Sequence, residues 1–336
     1  MSLETSAPVA FSEPEPARPP QWRGAFASLG IGLGAALLGL LPWLLSGMRL
    51  PLQPMWVFDA LPEQMPIAFL PLGNTTTTNV AGLLVVAGAA AGLAARSLAA
   101  HLPSRAPFSI AAGLLFVQVV AVAQSAQALQ RGLPADERAS FYLVACVSVA
   151  VVSVVVGLVV FVLVARGHHA GAVLGLVAGA LALAWWFDGF FWPNGVLPIE
   201  LHSAFHSVLR WVPPVLVGAS IAWAGVRTVG RIVAAVVSLL LLWLVPAVAT
   251  AVTSAVGSSM LLHFPSELLD QAVRVFAAAA FMPSIVVPPL VVAVVVGAVG
   301  ISVRRFAATR SAGEADAATR SAGEADAATR SAGEAN

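Results

Sequence analysis

The chain has 336 residues, of which 59% are apolar and only 10% charged, and its mean hydropathy is +0.90. Soluble domains carry about 25% charged residues, so this chain cannot cover a water-facing surface and reads as a multi-pass membrane protein whose first partner is the lipid bilayer. Its 17 basic and 16 acidic residues leave a formal charge of +1, which removes the basic excess that a nucleic-acid partner needs.

Residues 1–24 are rich in Pro and Glu and start without the basic segment of a signal peptide. They are expected to be a disordered cytoplasmic segment, with Arg18 and Arg23 directly before an uncleaved signal anchor. A helix needs about 20 apolar residues to cross the hydrocarbon core. Eight segments meet or approach this: 25–46, 79–100, 108–130, 141–165, 170–187, 207–226, 232–253 and 284–303. The expected fold is all-α, a polytopic transmembrane helical bundle of about eight spans within residues 25–306, its sixth span short.

Arginine placement sets the orientation. An inside N-terminus puts Arg18, Arg23, Arg96, Arg105, Arg166, Arg227, Arg231, Arg304, Arg305 and Arg310 on the cytoplasmic side, against Arg49, Arg131, Arg138, Arg210 and Arg274 outside. With an even number of spans, both termini are then expected in the cytoplasm of a protein in the cell membrane. Trp43, Trp56, Trp185, Trp186, Trp192 and Trp211 gather at the outer interface, where indole rings prefer to sit.

Within the spans, glycines recur at Gly30, Gly32 and Gly34, at Gly88 and Gly92, and at Gly171, Gly175 and Gly179. Small residues four apart share a helix face and let neighbouring backbones approach. Packing inside the chain is the preferred reading, and a homo-oligomer or contact with other membrane proteins is the alternative.

On the outer side, four segments place an acid shortly after a proline: Pro62–Glu63, Pro134–Asp136, Pro198–Glu200 and Pro265–Glu267. Proline suits a first helical position and an acid in the first turn suits the positive end of the helix dipole. The segments recur once per helical pair, which internal duplication and convergent loop chemistry explain equally well. Residues 198–210 and 265–277 then continue with helical periodicity. Leu201, Phe205, Val208, Leu209 and Val212 oppose His202, Ser203, His206 and Arg210, and Leu268, Leu269, Ala272, Val275 and Phe276 oppose Glu267, Asp270, Gln271 and Arg274. Two short interfacial helices capping the outer face are expected. At the far end, residues 307–336 carry three near-identical decapeptides beginning AATRSAGEAD, with no large apolar residue after Phe306. They are expected to form a disordered cytoplasmic tail, with enough alanine for transient helix.

His202 and His206 stand four apart, a spacing that presents both imidazoles to one metal ion. Glu200, His263, Glu267 and Asp270 lie on the same side and are candidates to complete such a site, while two histidines on a wet helix face remain the plainer reading. Asp188, after Trp185-Trp186-Phe187, is either a loop cap or a cation partner beside aromatics. Inside the spans the strongest polar feature is Gln118, Gln124 and Gln127, which either bond neighbouring helices or line a polar path. The single cysteine, Cys146, sits in an apolar run and reads as a small buried residue.

In its Ala-, Val- and Leu-rich spans, its lack of Lys and its proline-bearing outer loops, the chain resembles the uncharacterised polytopic membrane proteins of high-GC actinobacteria. The resemblance covers residues 25–306 by composition and layout, and it transfers no functional residue. No nucleotide loop, Ser-His-Asp order or zinc-protease helix is present. The expectation is a non-enzymatic membrane or envelope component without a cofactor. The alternatives are a permease for a small neutral or lipid-like solute, with its path around the third span, and an interfacial metalloenzyme using His202 and His206.

Overall fold

A computed structural model describes residues 21–53, 64–192, 196–257 and 265–334. The helices are α1 (Gln21–Leu45), α2 (Thr77–Ser97), α3 (Ala106–Gln130), α4 (Glu137–Arg166), α5 (His169–Asp188), α6 (His202–Leu209), α7 (Val212–Ala224), α8 (Val229–Gly257), α9 (Pro265–Ala280) and α10 (Pro283–Glu334). The only extended pairing among the described residues is an isolated antiparallel bridge between Arg49 and Ile67. Among the described residues, eight helical stretches are long and apolar enough to cross a membrane. The protein is thus an all-α, multi-pass helical bundle.

Seven of those stretches lie within single helices, and the sixth, His202–Ala224, joins α6 to α7. Alone, the 13 residues of α7 rise about 20 Å, well short of a hydrocarbon core of about 30 Å. Pro213 and Pro214 lack the N–H groups that would continue the ladder of α6. The chain stays helical nevertheless: the Arg210 N–H bonds the His206 carbonyl at 3.0 Å, and the Trp211 N–H bonds that of Val208 at 3.0 Å. The apolar run that looked short at residue 207 is completed by an amphipathic turn and a half before it.

The bundle has an arginine end, where α2, α4 and α7 finish, and a tryptophan end, where α2, α4 and α7 begin. Central α2 packs against α1, α4 and α5, and glycines set the spacing. A Cβ on Gly88 would run into the carbonyl of Gly157 on α4, and one on Gly157 would lie 2.8 Å from the Leu84 carbonyl. Gly32 meets the backbone of α3 at Ile110, and Gly179 meets Ala89 at 2.8 Å. The four-residue spacing is therefore used within the chain, although Gly30 and Gly34 have nothing within 4 Å. A second group is formed by α5, α7, α8 and α10 around Val177, Leu181, Val217, Ile221, Leu242 and Ala293.

The connection from α1 to α2 folds into the bundle. Gly47 (φ 86°) and Met48 (φ 56°) reverse the chain, the Leu50 N–H bonds Pro66, and the Ala68 N–H bonds Met48. Leu50, Ala68, Leu70 and Leu72 are buried against Trp43, Ala121 and Tyr142. Trp43 is itself 2% exposed and donates to the Ala68 carbonyl at 2.8 Å. It is a packing residue, unlike the interface anchor expected from its position. Trp186 likewise donates to the Gly39 carbonyl, while Trp192 is exposed; Trp56 lies outside the described residues.

Of the proline–acid segments, the second makes a helix cap: the Asp136 carboxylate accepts from the Ala139 N–H at 2.7 Å. The third opens a single 3-10 turn, Ile199–Leu201, before α6, and the fourth starts α9 with Glu267 in its first turn. Pro62 and Glu63 lie outside the described residues. Helix α9 takes its course from α8: Gln271 bonds Ser254 at 3.1 Å, and the Trp243 indole donates to the Ala280 carbonyl at 2.8 Å. Its axis therefore runs antiparallel to the second half of α8. Of the two ends, residues 1–20 lie outside the described residues, and α10 continues as helix through the decapeptide repeats to Glu334. The alanine content of the repeats supports helix, and their lack of large apolar residues gives that helix nothing to bury.

Candidate functional site

At the tryptophan end, α5 finishes on Asp188, and the Phe191 N–H bonds its carbonyl at 2.9 Å. The turn brings the chain back so that His202, at the start of α6, places Nε2 2.9 Å from the Asp188 Oδ1. One helical turn later His206 follows, with its ring centroid 5.5 Å from that of His202. One ligand atom from each of Asp188, His202 and His206 lies within 4.8 Å of the others. Phe191 meets the His202 ring edge-on at 5.1 Å, and Phe205 packs on Phe187 and Phe191. These aromatics hold the His face of α6 toward α5. Asp188 and His202 remain 35% exposed, so an ion can reach them.

Two imidazoles and a carboxylate suit a transition metal with three protein ligands and one open position. The expected acids are placed elsewhere. Glu200 is exposed in the 3-10 turn, Glu267 and Asp270 are exposed on α9, and none of them joins the three-residue group. His263 lies outside the described residues. Asp188 had no sequence signal linking it to the His pair: the partnership spans 14 residues and depends on how the turn after α5 closes.

Beside this cluster, α5, α7, α8 and α10 part around a cavity of about 410 Å³. Its wall is apolar, with Leu181, Trp185, Leu242, Trp243, Pro246 and Pro289. Prolines from three helices line it, and their missing N–H groups and ring bulk hold backbones apart where other residues would close up. Asp188, His206 and Arg210 make one polar corner, and the Arg210 guanidinium lies 4.8 Å from the Trp211 ring centroid. Such a space takes a molecule with an apolar body and a polar head.

The three glutamines are placed separately. The Gln118 amide donates to the Leu84 carbonyl of α2 at 3.0 Å, and its own buried oxygen has no partner among the described residues. Gln124 clamps the α1–α2 connection, accepting from the Phe69 N–H and donating to the Ile67 carbonyl, both at 2.9 Å. Its neighbour Ser125 accepts from the Leu70 N–H at 2.7 Å. Gln127 is exposed. Deeper in the same region, the Tyr142 hydroxyl donates to Gln53 and accepts from the Asn74 N–H at 3.1 Å, a polar knot that no sequence pattern announced. Cys146 is buried with a free thiol.

No protein-family model, no curated protein and no solved structure matches the chain.

Proposed function

We propose that this multi-pass membrane protein is a non-enzymatic component that holds a lipid-like amphiphile at its tryptophan end, with that end outward and both termini in the cytoplasm. The observation that carries this reading is the cavity of about 410 Å³ with its largely apolar wall and the charged and polar groups of Asp188, His206 and Arg210. Its volume falls within the range of about 300–1,000 Å³ common to small-molecule sites. It also favours holding over permeation. The lining on α5 runs only from Leu181 to Asp188, about 10 Å of helix rise, so the space reaches one end of the bundle alone.

The test is native mass spectrometry of the full chain purified in a mild detergent. An apolar-tailed adduct should accompany the wild-type protein and be lost in Ala184→Phe, which fills the cavity from its α5 wall, while the melting temperature is kept. Equal adducts in both proteins would overturn the reading.

A second reading rests on the cluster of Asp188, His202 and His206. Zinc held there would clip the end of α5 to α6 and fix the polar corner, because His206 belongs to both cluster and cavity. This role is structural and needs no reaction.

A further inference from the structure

At the arginine end, four guanidiniums line one concavity. Arg227 comes from the turn between α7 and α8, Arg231 from the first turn of α8, and Arg304 and Arg305 from α10. The space between them measures about 270 Å³, and no acidic side chain is among its lining residues. The usual excess of arginine on one side of a membrane protein explains why arginines occur at this end. It does not explain why three separate segments deliver them to one hollow, where like charges repel.

The local backbone sharpens the conflict. Helix α8 has no acid in its first turn, where an acid would suit the positive end of the dipole, and it carries Arg231 there instead. Of the four, only Arg304 bonds the backbone among the described residues: its guanidinium donates to the carbonyls of Ala222, at 2.8 Å, and Trp223, which are orphan acceptors at the end of α7. That bond fixes one wall of the hollow. Gly225, at φ 70°, turns the chain out of α7 so that Arg227 and Arg231 face α10 across it.

We infer that this hollow binds a phosphate-bearing anion, either the headgroup of an anionic phospholipid or free phosphate. Guanidinium groups match phosphate oxygens with paired N–H donors, and basic pockets between transmembrane helices take anionic headgroups. The site lies at the opposite end of the bundle from the amphiphile cavity and does not depend on it.

The experiment uses the full chain in nanodiscs of equal phosphatidylglycerol and phosphatidylcholine, followed by native mass spectrometry of the lipids retained. A parallel arm titrates inorganic phosphate against the delipidated protein in detergent. The test variant is R227Q/R231Q, which leaves Arg304 and its carbonyl bonds in place. The control is R105Q/R166Q, which removes two charges from the same end outside the hollow. Wild type and control should retain phosphatidylglycerol, and the test variant should lose it by roughly tenfold or more, given about fivefold per basic residue. Phosphate binding in detergent that R227Q/R231Q abolishes and the control keeps would identify free phosphate as the ligand. Equal losses in test and control variants, or no preference for phosphatidylglycerol together with no phosphate binding, would overturn the inference.

Discussion

The Asp188 carboxylate and the His202 imidazole meet at 2.9 Å across the turn that separates α5 from α6, and His206 stands one helical turn behind. That relationship fixes the mutual position of two helices and supplies a three-ligand set. Zinc binding to the folded protein alone would stabilise it by mass action, by about 2.7 kcal/mol at a free ion concentration one hundred times Kd. Thermal melts of the full chain in detergent should therefore shift upward with zinc in the wild type and not in H202A/H206A. Asp188→Asn should retain a smaller shift, since an amide oxygen is a poorer zinc ligand than a carboxylate. Equal shifts in all three proteins would dismiss the metal reading and leave the His–Asp pair as a half-buried contact worth about 1 kcal/mol.

Ser125→Ala should be costly for its size. Ser125 is fully buried, and its hydroxyl is the acceptor for the Leu70 N–H. Removing it strands a buried donor, at about 1–3 kcal/mol. Gln124→Ala removes two bonds to the same segment and should cost at least as much. Both should appear as lower melting temperatures, with Gln127→Ala, on the exposed side of α3, close to wild type. A Gln127 variant as damaging as the other two would restore the idea of a shared polar path.

Glycine substitutions should separate sharply by position. Gly88→Ala drives a methyl into the backbone of Gly157, and two rigid helices must part to admit it, at about 1–3 kcal/mol or more. Gly30→Ala meets nothing within 4 Å and should gain up to about 1 kcal/mol from helix propensity. Similar effects of the two on thermal stability would show that the α2–α4 approach is looser than the geometry requires.

These cases also mark how far the sequence could be read. The spans were legible because each needs only a local run of apolar residues: 141–165 was expected, and α4 covers Glu137–Arg166, extended by a polar first turn that hydropathy does not count. The glycine spacing was legible as a face, but which helix it meets was not, so Gly88 and Gly30 looked alike. The His202–His206 pair was legible because it repeats at one helical turn. Asp188, the burial of Leu50 and Leu70 by the α1–α2 connection, and the gathering of Arg227, Arg231, Arg304 and Arg305 all depend on which segments meet, and that is a property of the assembled bundle.

Orientation is open to a direct measurement, because the native chain gives no background to a thiol reagent. Its only cysteine, Cys146, is 2% exposed within α4. Ala135, between α3 and α4 at the tryptophan end, and Ala307, in α10 just past the arginine end, are both exposed. The arginine bias places the first outside and the second in the cytoplasm. In intact cells a membrane-impermeant maleimide should label Ala135→Cys, and it should label Ala307→Cys only after permeabilisation. Neither substitution removes a buried contact, so failure to fold is not the expected complication; a protein melting at the wild-type temperature confirms this. Labelling of Ala307→Cys in intact cells, with Ala135→Cys protected, would invert the bundle and turn the arginine hollow outward. Labelling of both positions in intact cells would mean that an even number of segments crosses between them, and the junction at Arg210 and Trp211, where α6 passes into the short α7, is the place where a span would be lost.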